Sequence, residues 1–269
     1  MRRIIIDCHT HFSTFGHEGH TFEQVRNSLL ASMQKLGTDY AFVYPDSEPS
    51  PEVTDLDTTR ELVKGFPQLM MLGTACFPMK DKKTNDKLDT LALSGDIIGI
   101  KLYPGFEEFY PSDKRCHSIY EKCIRHNMPL VFHSGETMNE PWREAYNHPS
   151  EIAKVARQFP SLKIVVAHFS QPHLTACRNL ILNHPNVYAD ISGLAHTDVV
   201  TSCGQEAIYR CLSDVATVQP EKLLFGTDWP LCDVAEHLSL VESLPVSEAT
   251  KILILSGNAQ RVFALELEQ

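Results

Sequence analysis

Residues 3–11 read RIIIDCHTH, a short isoleucine-rich run that ends in two histidines. Such a short apolar run predicts a strand buried on both faces, as in a parallel sheet. Side chains two positions apart on a strand point to the same side. His9 and His11 therefore converge on one point at the end of this strand, while Cys8 faces away from them as a packing residue.

Seven further apolar runs follow, and each is rich in residues that favour strands. The first run covers residues 3–8, and the seven others cover 40–44, 70–77, 97–103, 130–133, 163–168, 187–191 and 223–227. Eight strands alternating with helices predict an α/β fold of the (β/α)8 TIM-barrel type, and 269 residues suit a barrel of about 250. A doubly wound open sheet would carry a Gly-rich turn after its first strand, where this chain has DCHTH. We predict a single barrel domain over residues 1–269.

The helical stretches carry start and stop signals of their own. The predicted helix over 21–36 has a candidate capping box between its first residue and Gln24, and Gly37 follows as a stop. Ser112 and Asn258 are candidate N-caps of two later helices. Helices are predicted over 21–36, 56–66, 85–93, 112–126, 150–159, 173–182, 204–217, 247–255 and 258–265.

The composition indicates a globular protein and argues against several kinds of partner. The chain is 43% apolar and 22% charged, which is typical of a folded globular protein, and its net charge of −10 argues against nucleic acid or anionic membranes as partners. No apolar run approaches the roughly 20 residues of a membrane helix, and the first is too short for a signal peptide. The eight cysteines form no CxxC pair, so we expect free thiols and a cytoplasmic location.

Three later strands also end near a residue that can bind a metal. His133 ends the fifth strand, His168 ends the sixth, and Asp228 follows the eighth. In a parallel barrel all these strand ends gather at one face, where active sites lie. Together with His9 and His11 they offer imidazole nitrogens and a carboxylate oxygen, which suit zinc or another divalent first-row metal. The sequence therefore predicts a metal site at the mouth of the barrel.

The same segments resemble the amidohydrolase superfamily, and more narrowly amidohydrolase family 2. The resemblance covers nearly the whole chain. It is carried by IIIDCHTHF (4–12), GIKLYPGF (99–106), LVFHSG (130–135), KIVVAHFSQ (163–171), NVYADISG (186–193), LLFGTDWP (223–230) and SGNAQRVFAL (256–265). That branch contains aminocarboxymuconate-semialdehyde decarboxylase, related aromatic-acid decarboxylases and pyrone-dicarboxylate lactonase.

The resemblance implies a role for each candidate residue. His9, His11 and His133 would bind the metal, with Asp228 as a ligand or near-ligand that also transfers protons. His168 would hydrogen-bond the attacking water in a one-metal site, or bind a second metal in a two-metal site. We expect one divalent ion per chain, with zinc as the first choice.

Three further residues are predicted to bind the substrate: Lys101, Tyr103 and Arg143. Lys101 ends the fourth strand, where two-metal members of the superfamily carry a carboxylated lysine that bridges the metals. It could equally bind a substrate carboxylate or form an ion pair inside the barrel. Tyr103 ends the same strand, and Arg143 lies in the loop after the fifth strand.

Three functions remain open on this evidence. The first is a metal-dependent hydrolase that cleaves an amide, ester or lactone of a small carboxylated molecule, with Asp228 and His168 as catalytic residues. The second is a non-oxidative decarboxylase of an unsaturated or aromatic acid, and the third is a barrel that binds metal or ligand without catalysis. The expected partner is a small-molecule substrate, and a homodimer is left open.

Overall fold

A computed structural model describes residues 3–47, 50–78, 82–137 and 140–267. Each of the eight predicted runs contains strand, and the third contributes two short segments. The strands are β1 (Ile6–Thr10), β2 (Tyr40–Val43), β3 (Leu69–Met71), β4 (Gly73–Thr74), β5 (Ile100–Leu102), β6 (Leu130–Phe132), β7 (Ile164–Val166), β8 (Val187–Asp190) and β9 (Leu223–Leu224). All strand pairs are parallel and follow the order of the chain.

Backbone hydrogen bonds close these strands into a ring. Between the first and last strands, the Cys8 N–H donates to the Phe225 carbonyl and the Asp228 N–H donates to the His9 carbonyl, both at 2.8 Å. The gap between β3 and β4 is bridged by the Ile98 N–H, which donates to the Met71 carbonyl at 3.0 Å. The predicted TIM barrel is therefore confirmed.

Helices pack around the barrel in the order expected of this fold. They are α1 (Phe22–Leu36), α2 (Leu56–Val63), α3 (Lys82–Ser94), α4 (His117–Arg125), α5 (Glu144–Asn147), α6 (Pro149–Gln158), α7 (Leu174–Asn183), α8 (Thr197–Cys203), α9 (Gln205–Val218), α10 (Val234–Ser243), α11 (Glu248–Ile252) and α12 (Asn258–Val262). A π-helical segment, Leu253–Gly257, joins the last two helices. The sequence analysis did not predict α5, α8 or α10.

The first helix begins and ends where its sequence signals predicted. The Gln24 N–H donates to the Thr21 hydroxyl at 3.3 Å, and the Thr21 N–H donates back to the Gln24 side chain at 2.8 Å. Gly37 ends the helix with a φ of +76°, a left-handed conformation that suits glycine. The buried side of α1 then packs in the same apolar cluster as β2, through Val25, Leu29 and Met33.

Two predicted N-caps are wrong. The Ser112 hydroxyl donates to the Glu151 carboxylate, and Asp113 instead caps the short 3-10 turn that leads into α4. Asn258 is the first residue of α12 but does not cap it, because the π-helical segment runs into α12 without a break and Asn258 is itself helical. Its side-chain amide donates to the carbonyl of Leu223 at 2.7 Å, so it ties this last helical run to β9.

Two observations bear on the expected environment of the chain. All eight cysteines have free thiols, and Cys8 is buried in β1. Within the part of the chain that the structure describes, no helix is both long and apolar enough to cross a bilayer.

Candidate metal centre

Three ligand atoms meet at the carboxyl ends of β1 and β9. The Nε2 atoms of His9 and His11 lie 3.3 Å apart, and the Asp228 Oδ1 atom lies 3.6 and 3.7 Å from them. Asp228 reaches this position from a left-handed turn with a φ of +73°. Two imidazole nitrogens and one carboxylate oxygen suit a divalent first-row metal, so this cluster fits the predicted metal site.

His9 is held in the orientation that a metal ligand needs. Its Nδ1–H donates to the Asp190 carboxylate at 2.9 Å, and both side chains are completely buried. That bond leaves the Nε2 lone pair facing His11 and Asp228, which is the usual arrangement of a carboxylate behind a metal-binding imidazole. Burial lowers the pKa of His9 well below its ordinary value, and the nearby Lys101 cation adds to this. The ring is therefore neutral and able to bind a metal.

Asp190 and Ser192 were missed by the sequence analysis. Asp190 also accepts from the backbone N–H of His168 at 2.9 Å and from the N–H of Ser192 at 3.1 Å. The Ser192 hydroxyl donates to Asp190 and accepts from the His168 Nδ1–H at 2.8 Å. Asp190 is the last residue of β8, so the rule that singled out the other strand ends applies to it as well.

His168 lies beside the cluster in a strained stretch of backbone. His168, Phe169 and Ser170 have φ values of +58°, +46° and +55°, a left-handed conformation that non-glycine residues seldom adopt. The His168 ring centroid is 4.7 Å from that of His9. Burial and the neighbouring imidazoles lower its pKa well below the ordinary value, so this side chain is neutral.

His133 is next to the cluster and uses one ring nitrogen elsewhere. Its Nε2–H donates to the Glu136 carbonyl at 3.0 Å, and its ring centroid is 5.1 Å from that of His168. Burial lowers its pKa to about 3. Gly135 makes this loop possible, because a Cβ there would lie 1.9 Å from the Gln171 carbonyl oxygen. The Nδ1 atom is the nitrogen left to bind a metal.

Lys101 is a buried cation that lacks a hydrogen-bond acceptor. Its side chain is 0% exposed, and its ammonium has no hydrogen-bond partner in the described structure. The ammonium lies 5.0 Å from the centroid of the Tyr44 ring and 5.1 Å from that of Tyr103. Burial lowers the pKa of Lys101 to about 8, while Asp190 and Asp228 act in the opposite direction.

The other two predicted substrate-binding residues already have partners. The Tyr103 hydroxyl donates to the Pro45 carbonyl at 2.8 Å. The Arg143 guanidinium pairs with Glu140 at 2.6 Å and with Glu108 at 3.1 Å. A substrate would have to compete with these contacts, so Lys101 is the member of the set whose charged group is available.

We predict that Lys101→Met stabilises the fold, because burial that lowers the pKa of the Lys101 ammonium from 10.5 to about 8 corresponds to about 3 kcal/mol. The free energy of unfolding should rise by about that amount in the presence of EDTA, as measured by urea denaturation. The gain should be largest below pH 8 and shrink as the pH rises towards 10.5. In that interval the folded lysine has lost its proton while the unfolded one retains it, so wild-type stability rises with pH. A destabilised variant would show that the ammonium is satisfied.

The fold and the cluster define a class of protein: a parallel α/β barrel with a metal-type centre at the carboxyl ends of its strands. The family model for amidohydrolases (Amidohydro_2) matches residues 6–265. The chain therefore belongs to this amidohydrolase family, which is metal-dependent. The family membership expected from the motifs is confirmed.

Two curated relatives match part of the chain. An L-fucono-1,5-lactonase from Burkholderia ambifaria is 28% identical over 103 residues, and a gamma-resorcylate decarboxylase from Polaromonas sp. is 23% identical over 117 residues. The alignments cover 34% and 40% of this chain, and 34% and 36% of the relatives, so they span about a third of each relative.

Solved structures match over the full length. An uncharacterized TIM-barrel protein from Bordetella bronchiseptica superposes with a TM-score of 0.75 at 18% identity, covering 97% of this chain and 98% of the other. A probable 2-pyrone-4,6-dicarboxylic acid hydrolase from Acinetobacter baumannii, with citric acid bound, has a TM-score of 0.70 at 16% identity and covers 97% and 99%. At these identities the likeness supports the fold.

Proposed function

We propose that this chain is a metal-dependent hydrolase that cleaves an amide, ester or lactone of a small carboxylated molecule. The observation that carries the proposal is the convergence of His9 Nε2, His11 Nε2 and Asp228 Oδ1, with the other nitrogen of His9 held by Asp190. The lactonase relative and the barrel that contains citric acid agree with this substrate class.

His9, His11 and Asp228 would hold one divalent ion, with His133 as a further ligand. Zinc is our first candidate, since neutral imidazoles and a carboxylate are its usual ligands in catalytic sites. When bound, such an ion supplies Lewis acidity and lowers the pKa of water at the site.

The chain's own residues would then handle the protons and the charge. Asp228 accepts a proton from the attacking water and returns it to the leaving group; burial raises the pKa of this carboxyl, which favours such a role. His168, fixed through Nδ1 by Ser192, orients the water and stabilises charge on the attacked oxygen.

Decarboxylation on the same centre is our second candidate. The match to a gamma-resorcylate decarboxylase supports it. The carbon–carboxylate bond would then break, carbon dioxide would leave, and a proton would take its place on the substrate carbon. Asp228 would again supply that proton.

A substrate panel would test both candidates. Zinc-loaded protein would be incubated with lactones, esters and amides of small carboxylic acids, and with aromatic and unsaturated acids. Hydrolysis of a lactone or ester releases acid, which a pH-stat measures. Hydrolysis of an amide releases an amine or ammonia, which is assayed directly, and decarboxylation releases carbon dioxide. Turnover that is lost with EDTA and restored by zinc supports the proposal. A metal-loaded protein that turns over neither set would contradict both candidates.

We expect one divalent ion per chain, with zinc predominating. Elemental analysis of protein prepared without a chelator would measure it, and His11→Ala should lower the content because it removes one of the three clustered ligand atoms. Two ions per chain, together with a carboxylated Lys101, would contradict the one-metal site. An exposed histidine such as His20 provides a control: His20→Ala should retain the wild-type metal content.

The remaining parts of the proposal concern the environment. We infer a cytoplasmic location from the eight free thiols, since oxidising compartments favour disulfides. A small-molecule substrate is the expected partner, and sedimentation analysis would test whether the chain forms a homodimer.

A further inference from the structure

We propose that the Lys101 ammonium and the Tyr44 hydroxyl together form a subsite that binds a carboxylate of the ligand beside the metal-type cluster. The proposal rests on the proposed function, because it names the feature of the substrate that this site would recognise. Tyr44 was not singled out from the sequence.

Both groups are unsatisfied donors in the protein interior. Tyr44 and Lys101 are each 0% exposed, and neither the hydroxyl nor the ammonium has a hydrogen-bond partner in the described structure. Buried polar groups are nearly always hydrogen-bonded, and an ammonium offers three donors and no acceptor. The ammonium lies 5.0 Å from the centre of the ring that carries the hydroxyl, so two neighbouring side chains both call for an acceptor from outside the chain.

Tyr44 and Lys101 both lie close to the metal-type cluster. The Lys101 ammonium lies 5.0 Å from the Tyr44 ring, and that ring lies 4.3 Å from the His9 ring and 5.8 Å from the His11 ring. Tyr44 directly follows β2 and Lys101 lies in β5, so two separate strands bring the donors to the same mouth. A carboxylate bound there would be adjacent to the cluster, and it would hold a neighbouring ester, lactone or amide carbonyl close to His9 and His11.

A second tyrosine ring lies next to the same ammonium, but its hydroxyl is not free to donate. Tyr103 lies 5.1 Å from the ammonium, close to the Tyr44 distance, but its hydroxyl is used by the Pro45 carbonyl. The two tyrosines thus form a natural pair for comparison. Removing the Tyr44 hydroxyl should weaken anion binding more than removing the Tyr103 hydroxyl, which is already bonded.

The test is ligand binding rather than turnover. Isothermal titration of zinc-loaded protein with succinate, and with its neutral analogue succinamide, would be performed on the wild type and on Lys101→Met, Tyr44→Phe and Tyr103→Phe. We expect Lys101→Met to weaken succinate binding about tenfold or more, and Tyr44→Phe about three- to tenfold. Tyr103→Phe should weaken succinate binding less than Tyr44→Phe does, because the Tyr103 hydroxyl is already bonded to the Pro45 carbonyl. Lys101→Met should change the binding of succinamide less than that of succinate, because succinamide has no charge to pair with the ammonium.

Metal content and thermal stability would be measured on every sample, so that loss of zinc or of the fold is not mistaken for loss of the subsite. Unchanged succinate affinity in Lys101→Met or Tyr44→Phe, at full metal content, would overturn the proposal, as would no succinate binding by the wild type. A second metal bridged by a carboxylated Lys101 would overturn it as well. The succinate-binding measurement needs no turnover, so it can be interpreted even if the hydrolase proposal fails.

Discussion

Asp228→Asn should lower kcat by about 10²–10⁴-fold, the contribution usual for one general acid–base group, while the variant keeps part of its metal. Asparagine preserves the shape and one oxygen of the side chain but cannot accept a proton. The Asp228 backbone N–H bond to the His9 carbonyl does not involve the side chain, so the local turn should persist. Loss of turnover should therefore reflect the missing proton acceptor.

The measurement is steady-state kinetics on the substrate found with the panel, alongside zinc analysis of the same samples. Asp198→Asn is the control for a change of charge near the mouth, because the Asp198 side chain is 92% exposed and outside the cluster. It should retain wild-type turnover. Near-normal turnover by Asp228→Asn would show that another group handles the proton.

His168→Asn extends the same test to the neighbouring residue. It should also lower turnover severely, yet leave about one metal per chain if the site is mononuclear. Its effect and that of Asp228→Asn should not multiply in the double variant, because both residues act on the same water. Metal content that falls in proportion to turnover in His168→Asn would point instead to a metal-binding role for His168.

The barrel could be predicted from the sequence because its strands are buried on both faces. Each strand therefore appears as a compact apolar run, and alternation with helices left few other folds. The short helices α5 and α8 carry no comparable signal. Helix α10 does carry one that was overlooked, since Asp233 caps it and Val234, Leu240 and Val241 are buried. Local capping was predicted correctly at Thr21, where both partners lie within four residues. It was wrong at Asn258, whose side chain bonds to Leu223, 35 residues away.

The candidate site, too, was predicted only in part. His9, His11 and Asp228 could be found because each lies at a strand end, and the geometry of a parallel barrel brings strand ends together. The sequence does not show which strand ends are in contact with each other. Asp190 contacts His9 across 181 residues, and Tyr44 was counted as the last apolar residue of a strand. Both were recognisable as strand-end residues, but only the folded chain gives them partners.

Asp190→Asn should weaken zinc binding by about 10–100-fold, the usual effect of removing the carboxylate behind a metal-binding histidine. Asp190 is completely buried and accepts hydrogen bonds from His9, His168 and Ser192. An asparagine oxygen can serve some of these donors, but it has no charge to strengthen the His9 nitrogen as a ligand. The amide N–H groups of the asparagine would face the same donors from which Asp190 accepts, so they would find no acceptor there. The His9 ring could then rotate or change its tautomer.

Competition with a zinc chelator of known affinity would measure this effect, and thermal denaturation of the metal-free proteins would show whether the variant is folded. Ser192→Ala is the matched control. It removes the hydroxyl that donates to Asp190 and lies 3.2 Å from His9 Nδ1, and it leaves the shorter bond of 2.9 Å from His9 Nδ1 to Asp190 in place. We expect its zinc affinity to fall much less. If Asp190→Asn is folded and binds zinc as tightly as the wild type, then zinc binding does not depend on the Asp190 carboxylate. A large loss in Asp190→Asn with a small one in Ser192→Ala would show that this carboxylate supports the zinc site, either by holding His9 or as a ligand itself in the neighbouring group of His9, His168 and Asp190. Zinc binding by His11→Ala separates these two cases, because His11 belongs only to the cluster with Asp228.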